Sequence, residues 1–248
     1  MTPQRILITG ASAGIGLALA RFYARPGVTL ALVARRADRL EALRAELEPG
    51  GVRVLVYAAD VRDAPRMAEV VRTFGAQAGG VDLAIANAGI SLGDRFDGDP
   101  SRARDIFAVN VQGLLNTLLP CVPLMEAQGA GHLVGIGSVA GFRGLPGKAA
   151  YSASKAAVKQ LLDGWRPGLR RRGIRVTTIC PGFVATELTA KNPYPMPFLM
   201  GADKAARLTG QAIARGAATY VFPWQMRLLV PLLKVVPDRL LASMNGRS

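Results

Sequence analysis

The sequence predicts an α/β fold built on a parallel sheet, and three observations carry that prediction. Short aliphatic, β-branched runs alternate with segments of helical period along nearly the whole chain, the pattern of repeated strand-helix units. A glycine-rich turn, Gly10-Ala11-Ser12-Ala13-Gly14-Ile15-Gly16, joins the first such run to the first helical segment. The strand runs end in glycine or polar residues, and in a parallel sheet those carboxyl ends form one ligand crevice. The 248 residues are half hydrophobic, enough for a large core. No Ser/Gly- or Pro-rich spacer interrupts them, so one domain over 1–248 is expected.

Taken in order, Arg5 to Thr9 is the first strand, and Leu17, Ala18, Ala20, Phe22 and Tyr23 give the helical pattern after the glycine turn. Glycines there permit a tight turn, let backbone N–H groups approach a pyrophosphate at the positive helix end, and let the helix pack on the sheet. Arg5 to Ala20 also imitates a secretory signal, but the glycine spacing favours strand, turn and helix. Thr29 to Ala34 is the second strand, ending in Arg35-Arg36, with a helix from Asp38 to Leu47. Pro49-Gly50-Gly51 turns into a third strand, Val52 to Ala58, which leads to Asp60 and Val61; a helix from Ala64 to about Phe74 follows. The fourth strand, Leu83 to Ala86, ends in Asn87-Ala88-Gly89.

Asp99-Pro100 resembles an N-cap with proline at the first helical position. It opens a long apolar helix that Asn110 interrupts, and a buried amide needs partners, most simply a structural hydrogen bond to a neighbouring strand. Leu133 to Ser138 is the fifth strand, and Arg175 to Cys180 the sixth, closing on Pro181-Gly182. Residues 183–201 are rich in Pro and Met without a clear period, which suits a substrate lid or an ordinary surface insertion. Lys204 to Arg215 reads as a helix, Ala217 to Phe222 as a seventh strand, and 223–248 as an apolar, basic tail.

The formal charge of +14 raises nucleic acid or anionic membrane as partners. The basic residues are scattered, however: Arg35-Arg36 and Arg170-Arg171-Arg172 are the only tight groups, and no nucleic-acid-binding motif accompanies them, so no nucleic acid is expected. Cys121 and Cys180 lie far apart in apolar surroundings. They read as buried free thiols of a cytoplasmic protein, with no metal site. His132 begins an apolar run and reads as a strand-end residue. No segment reaches about 18 uninterrupted apolar residues, so no membrane span is expected.

Tyr151-Ser152-Ala153-Ser154-Lys155 opens a helical pattern, and the four-residue separation stacks phenol and ammonium on one face. An ammonium close to a phenol favours the phenolate and draws its pKa down from about 10. The alternative is an ordinary amphipathic helix start with a surface Tyr and Lys. Together with the glycine turn, Asn87-Ala88-Gly89, Asn110, Ser138 and Pro181-Gly182, this pentapeptide closely resembles the short-chain dehydrogenase/reductase family from the first strand to about residue 187.

The resemblance implies a doubly wound, Rossmann-type sheet of about seven strands that binds NAD or NADP and reduces a carbonyl or oxidises a secondary alcohol. Carried over, Gly10, Gly14 and Gly16 shape the pyrophosphate turn beside Ser12 and Ile15. Asp60 and Val61 meet the adenine, and Asn87, Ala88 and Gly89 support the adenosine side. Lys155 holds the nicotinamide ribose, and Pro181, Gly182, Val184 and Thr186 flank the nicotinamide. Tyr151 is the proton donor, Ser138 holds the carbonyl oxygen, and Asn110 anchors a relay water. Arg35 and Arg36, where an acidic residue would bind a ribose hydroxyl, favour NADP(H) over NAD(H). A homodimer or homotetramer is implied, with a small carbonyl or alcohol as substrate.

Two departures stand out. Trp165-Arg166-Pro167-Gly168 puts a helix-breaking pair inside the Tyr151 helix, where a kink or early stop is expected. Pro223, Pro231 and Pro237 are expected to divide the tail into short helical pieces that pack over the substrate crevice and a neighbouring subunit, or lie in a membrane interface, packing being favoured. A non-catalytic nucleotide-binding scaffold or sensor, and a peripheral membrane protein acting through its tail, are the competing functions; the intact acid/base residues argue against the scaffold.

Overall fold

A computed structural model of the chain describes residues 3–94, 97–190 and 195–235. Seven parallel strands form the sheet: β1 (Arg5–Thr9), β2 (Thr29–Ala34), β3 (Arg53–Ala58), β4 (Leu83–Ala86), β5 (Gly131–Ile136), β6 (Ile174–Pro181) and β9 (Thr219–Phe222). Their order is β3-β2-β1-β4-β5-β6-β9. The chain therefore winds outward from β1 in one direction and returns to wind outward from β4 in the other, which is the doubly wound architecture. Two residues each of β7 (Val184–Ala185) and β8 (Met200–Gly201) form a separate parallel ribbon.

Both faces of the sheet are covered, which is why its strands read as near-continuous apolar runs. Ile6 and Ile8 of β1 join one core with the helices α1 (Gly14–Tyr23), α2 (Ala37–Leu47) and α8 (Ala202–Ala214). Leu7 between them joins the other, with α3 (Ala64–Ala78), α5 (Gly113–Leu118), α6 (Cys121–Ala127) and α7 (Ala149–Arg170). β1 is bonded on both sides, to β2 and β4, so the signal-like segment is the middle of the sheet. His132 lies at the amino end of β5, buried against the Thr177 hydroxyl at 2.8 Å, and Cys121 and Cys180 are buried free thiols.

Two expectations need correction. α7 does not stop at its proline: it runs 22 residues through Pro167 to Arg170. Arg166 holds that last turn, donating to the carbonyls of Val176 (3.2 Å) and Ala218 (2.7 Å) and to Asp163 (2.8 Å). Nor does Pro231 divide the tail, because α9 continues through it from Trp224 to Val235. α9 packs on β9 and on the Val139–Phe142 turn with Met226 and Val230 buried, while Trp224, Leu228 and Leu229 stay exposed. The tail's remaining expectations, including Pro237, fall on 236–248, outside the described residues.

The helical stretch 101–127 is long and apolar enough, by length and composition, to cross a membrane, although polar residues such as Asn110, Gln112 and Asn116 interrupt it. In this fold it behaves as a core element. α4 (Ser101–Phe107) packs on α7, α5 packs on β4 and α3, and Leu114, Leu118, Cys121 and Met125 are buried. Between α4 and α5 the backbone widens into a π-helical turn, Ala108–Gln112, centred on Asn110.

Candidate active site

The carboxyl ends of the strands open into one cleft of about 1040 Å³. Every residue singled out in the sequence lines it except Gly16 and Asn110, which act from behind its wall. At one end the turn after β1 forms a cradle. Gly10 takes φ 68° and Gly14 φ 56°, both in the left-handed region. A Cβ on Gly16 would lie 2.3 Å from the Gly10 carbonyl oxygen, so only glycine lets α1 start this close to the turn. No side chain caps the α1 N-terminus and no acidic residue sits in its first turn. Its amides and positive helix end remain available to an anion. Thr9 ties this turn to β4: its hydroxyl accepts from the amides of Asn87 (3.2 Å) and Ala88 (3.3 Å), and the Asn87 side chain donates to the Thr9 carbonyl (3.0 Å). These groups fit the pyrophosphate of a dinucleotide.

Beside the cradle, at the end of β2, Arg36 donates to the Ser12 hydroxyl through Nε (3.2 Å) and Nη2 (3.0 Å). Its third contact is an ion pair with Glu187 at 3.0 Å, and Arg39 pairs with the same carboxylate. Arg35 is exposed on the cleft rim with no ion pair among the described residues. Asp60 is gripped by Arg62 at 2.8 Å, and that contact holds its carboxyl below the usual carboxylate range.

At the other end the reactive groups converge. Ser138 ends the β5 segment, where its Oγ accepts from the Ala140 amide at 3.1 Å, and its side chain lies close enough to the Tyr151 phenol to oppose a rise in the phenol's pKa. Gly141 makes this possible, because a Cβ there would meet the Lys155 backbone at 2.8 Å, so the turn can rest directly on α7. Lys155 is buried, its ammonium donating to the Ile136 carbonyl at 2.8 Å and lying 5.9 Å from the Tyr151 ring centroid. Asn110 is saturated: its Oδ1 accepts from the Ile90 amide (2.8 Å), and its Nδ2 donates to the Ile90 carbonyl (3.0 Å) and Ser154 Oγ (3.0 Å). It clamps the loop after β4 to α7, the structural role that its buried amide called for.

The electrostatics depart from the expectation that Lys155 draws the phenol down. Burial pushes the Tyr151 phenol above its ordinary 10, opposed by the Ser138 side chain, and burial lowers Lys155 itself to about 8. With Lys155 buried and the half-buried phenol on the cleft wall, the cost of holding either group charged outweighs a cation nearly 6 Å from the ring. The phenol is a neutral proton donor at neutral pH.

Sequence reasoning missed Glu187, Thr9 and Ser154. Glu187 meets Arg36 across 151 positions of chain, which no local pattern encodes. Thr9 and Ser154 stand inside the quoted motifs, but their roles are hydrogen bonds to other segments. The 183–201 region is part of the cleft, with Thr186, Leu188, Thr189, Pro195 and Pro197 on its wall; residues 191–194 fall outside the described ones.

Comparison with known proteins accords with this geometry. A family model described as short chain dehydrogenase matches residues 4–195. An uncharacterized oxidoreductase of Myxococcus xanthus is 45% identical over 241 residues, covering 97% of this chain and 95% of that one. A 3-ketoacyl-ACP reductase from Sinorhizobium meliloti 1021 superposes with TM-score 0.81 at 28% identity, over 90% of this chain and 99% of its own. An alcohol dehydrogenase from the archaeon Thermococcus sibiricus, complexed with 5-hydroxy-NADP, gives TM-score 0.78 at 28% identity, over 88% and 94%. With cradle, cleft and family match in agreement, the chain belongs to the short-chain dehydrogenase/reductase family and is an NAD(P)-dependent oxidoreductase.

Proposed function

We propose that this protein reduces the carbonyl of a largely apolar small molecule, or oxidises the corresponding secondary alcohol, with NADP(H) as cofactor. The observation that carries the reading is the convergence of Ser138 and Tyr151 on the wall of one cleft with Lys155 buried behind them. Gly10, Gly14 and Gly16 would hold the pyrophosphate of the cofactor, which when bound would supply the hydride. Tyr151, its phenol pKa raised by partial burial and hence neutral, donates its phenolic proton to the carbonyl oxygen. Ser138 donates a hydrogen bond to the same oxygen, where negative charge develops. Lys155 has N–H groups left with which it would hold the ribose, and Pro181, Gly182, Val184 and Thr186, on the cleft wall, would flank the nicotinamide. Asn110 keeps the Tyr151 helix and the loop after β4 in register, and the wider backbone of its π turn supports the relay-water role.

Arg35 and Arg36 with Ser12 support the choice of NADP(H), since they gather donors where the second ribose would lie and Arg36 already bonds a hydroxyl there. Phe107, exposed on α4, and Leu119, exposed on the turn between α5 and α6, support a homo-oligomer, since they leave apolar surface uncovered. The buried free thiols support a cytoplasmic setting. The test is Tyr151→Phe assayed over a panel of ketones with NADPH. Turnover should fall by about a hundred- to ten-thousand-fold with cofactor affinity nearly unchanged; a variant that kept most of its activity would refute the assignment.

A further inference from the structure

The substrate end of the cleft carries one charge that neither catalysis nor cofactor binding uses. Lys148 stands on the turn into α7, three residues before Tyr151, half-buried on the cleft wall, and its Nζ donates to the Ser91 hydroxyl, also on the wall, at 3.3 Å. Leu92, Leu145 and Pro146, neighbours of the pair in the chain, give the wall apolar surface there, and Phe183, Leu188 and Pro197 add more to the same cleft. Of the cleft's other charges, Arg36 is paired with Glu187, Asp60 with Arg62, the Lys155 ammonium rests on the Ile136 carbonyl, and Arg35, without an ion pair among the described residues, stands at the cofactor end. Lys148 has no carboxylate within ion-pair distance among the described residues. Asp94 is the nearby candidate, its amide donating to the Gly147 carbonyl, but its carboxylate accepts from the amides of Ala149 (2.6 Å) and Ala150 (3.4 Å).

An ammonium at the edge of an apolar compartment, steadied by a hydroxyl and lacking a counter-charge, is an anion site. We propose that the substrate is an oxo-carboxylic acid with an aliphatic body, its carboxylate held by Lys148 and Ser91 while its carbonyl meets Tyr151 and Ser138. One ammonium and one hydroxyl match the two oxygens of a monoanionic carboxylate; a phosphate dianion would call for more donors. The identity of the carbonyl partner rests on the proposed oxidoreductase reading, whereas the anion site stands on its own.

Calorimetric titration of the full chain, with and without NADP⁺, by decanoate, methyl decanoate and decyl phosphate tests the site apart from turnover. Decanoate should bind about ten- to a hundredfold more tightly than its ester, as for a hydrogen-bonded charge pair. Lys148→Met should abolish that preference and Lys148→Arg keep most of it. Lys204→Met, on the exposed surface of α8, should leave it intact, separating a local site from the attraction of a +14 chain. If Lys148→Met does not fold, Ser91→Ala should lower the preference several-fold. Equal affinity for acid and ester, a preference that survives Lys148→Met in folded protein, or tighter binding of decyl phosphate than of decanoate overturns the proposal. In turnover, kcat/KM for 9-oxodecanoate over its methyl ester should fall at least tenfold in Lys148→Met. Preserved binding preference without turnover of either compound would sink the oxidoreductase reading and leave the anion site standing.

Discussion

At Tyr151 the spacing to Lys155 was legible and the sign of the electrostatics was not, because a four-residue interval places two groups on one face without saying how dry that face is. Burial sets the sign, and His132 makes the same point measurably. Its folded pKa is pushed down from 6.5 to about 3, chiefly by burial, with Arg175 adding to the effect. The unfolded chain therefore binds the extra proton between those values, so the stability tied to neutral His132 is present above pH 6.5 and is lost as pH falls toward 3. In urea unfolding, the wild type should lose up to about 1.4 kcal/mol per pH unit across that window relative to His132→Gln; parallel pH profiles would contradict the burial. Arg35-Arg36 could be read as a cofactor feature, but Glu187 could not, since the contact exists only after the fold closes. Arg35→Asp should weaken NADPH by about ten- to a hundredfold and improve NADH. Glu187→Gln, which frees Arg36, should tighten NADPH by about two- to fivefold, both read from cofactor fluorescence titrations. Equal wild-type affinity for the two cofactors would refute the preference.

Among the elements, the strands and the helices between them were readable from their periods because each buries a whole face. The two prolines were misjudged for a common reason: a proline's local effect can be offset by contacts far off in sequence. Pro167 lies three residues before the end of α7, where its missing N–H leaves one carbonyl, that of Asp163, without its helical partner. Arg166 compensates by fastening that turn to β6 and to the segment before β9. Arg166→Ala should therefore cost about 1–3 kcal/mol in urea unfolding, more than an exposed arginine would, because it strips donors from two carbonyls. A change under about 0.5 kcal/mol would show that Pro167 needs no such support. The π turn at Asn110 was invisible for a different reason, being one residue of extra width in an otherwise helical pattern.

For the molecule as a whole, alternation of strands and helices announced the fold class, whereas strand order depends on which crossovers close and no composition records it. The tail shows a similar divide. α9 brings Met226 next to Gly182, where a Cβ would meet its Cγ at 3.1 Å, yet leaves Trp224 68% exposed. A chain ending at Phe222 should aggregate and show a raised KM for bulky substrates. Sedimentation of the full chain with anionic liposomes at physiological salt, with the shortened chain soluble and fully active, would instead assign the tail to a membrane surface. The position of β1 between β2 and β4 bears on biosynthesis. On the ribosome β1 finds β2 soon after it emerges, but Leu83, which opens its other neighbour, follows Thr9 by 83 − 9 = 74 positions. At about 5–20 residues per second this is a wait of roughly 4 to 15 s. For that interval the strand that carries the glycine cradle presents an unsatisfied edge, the period in which a nascent chain most needs a chaperone.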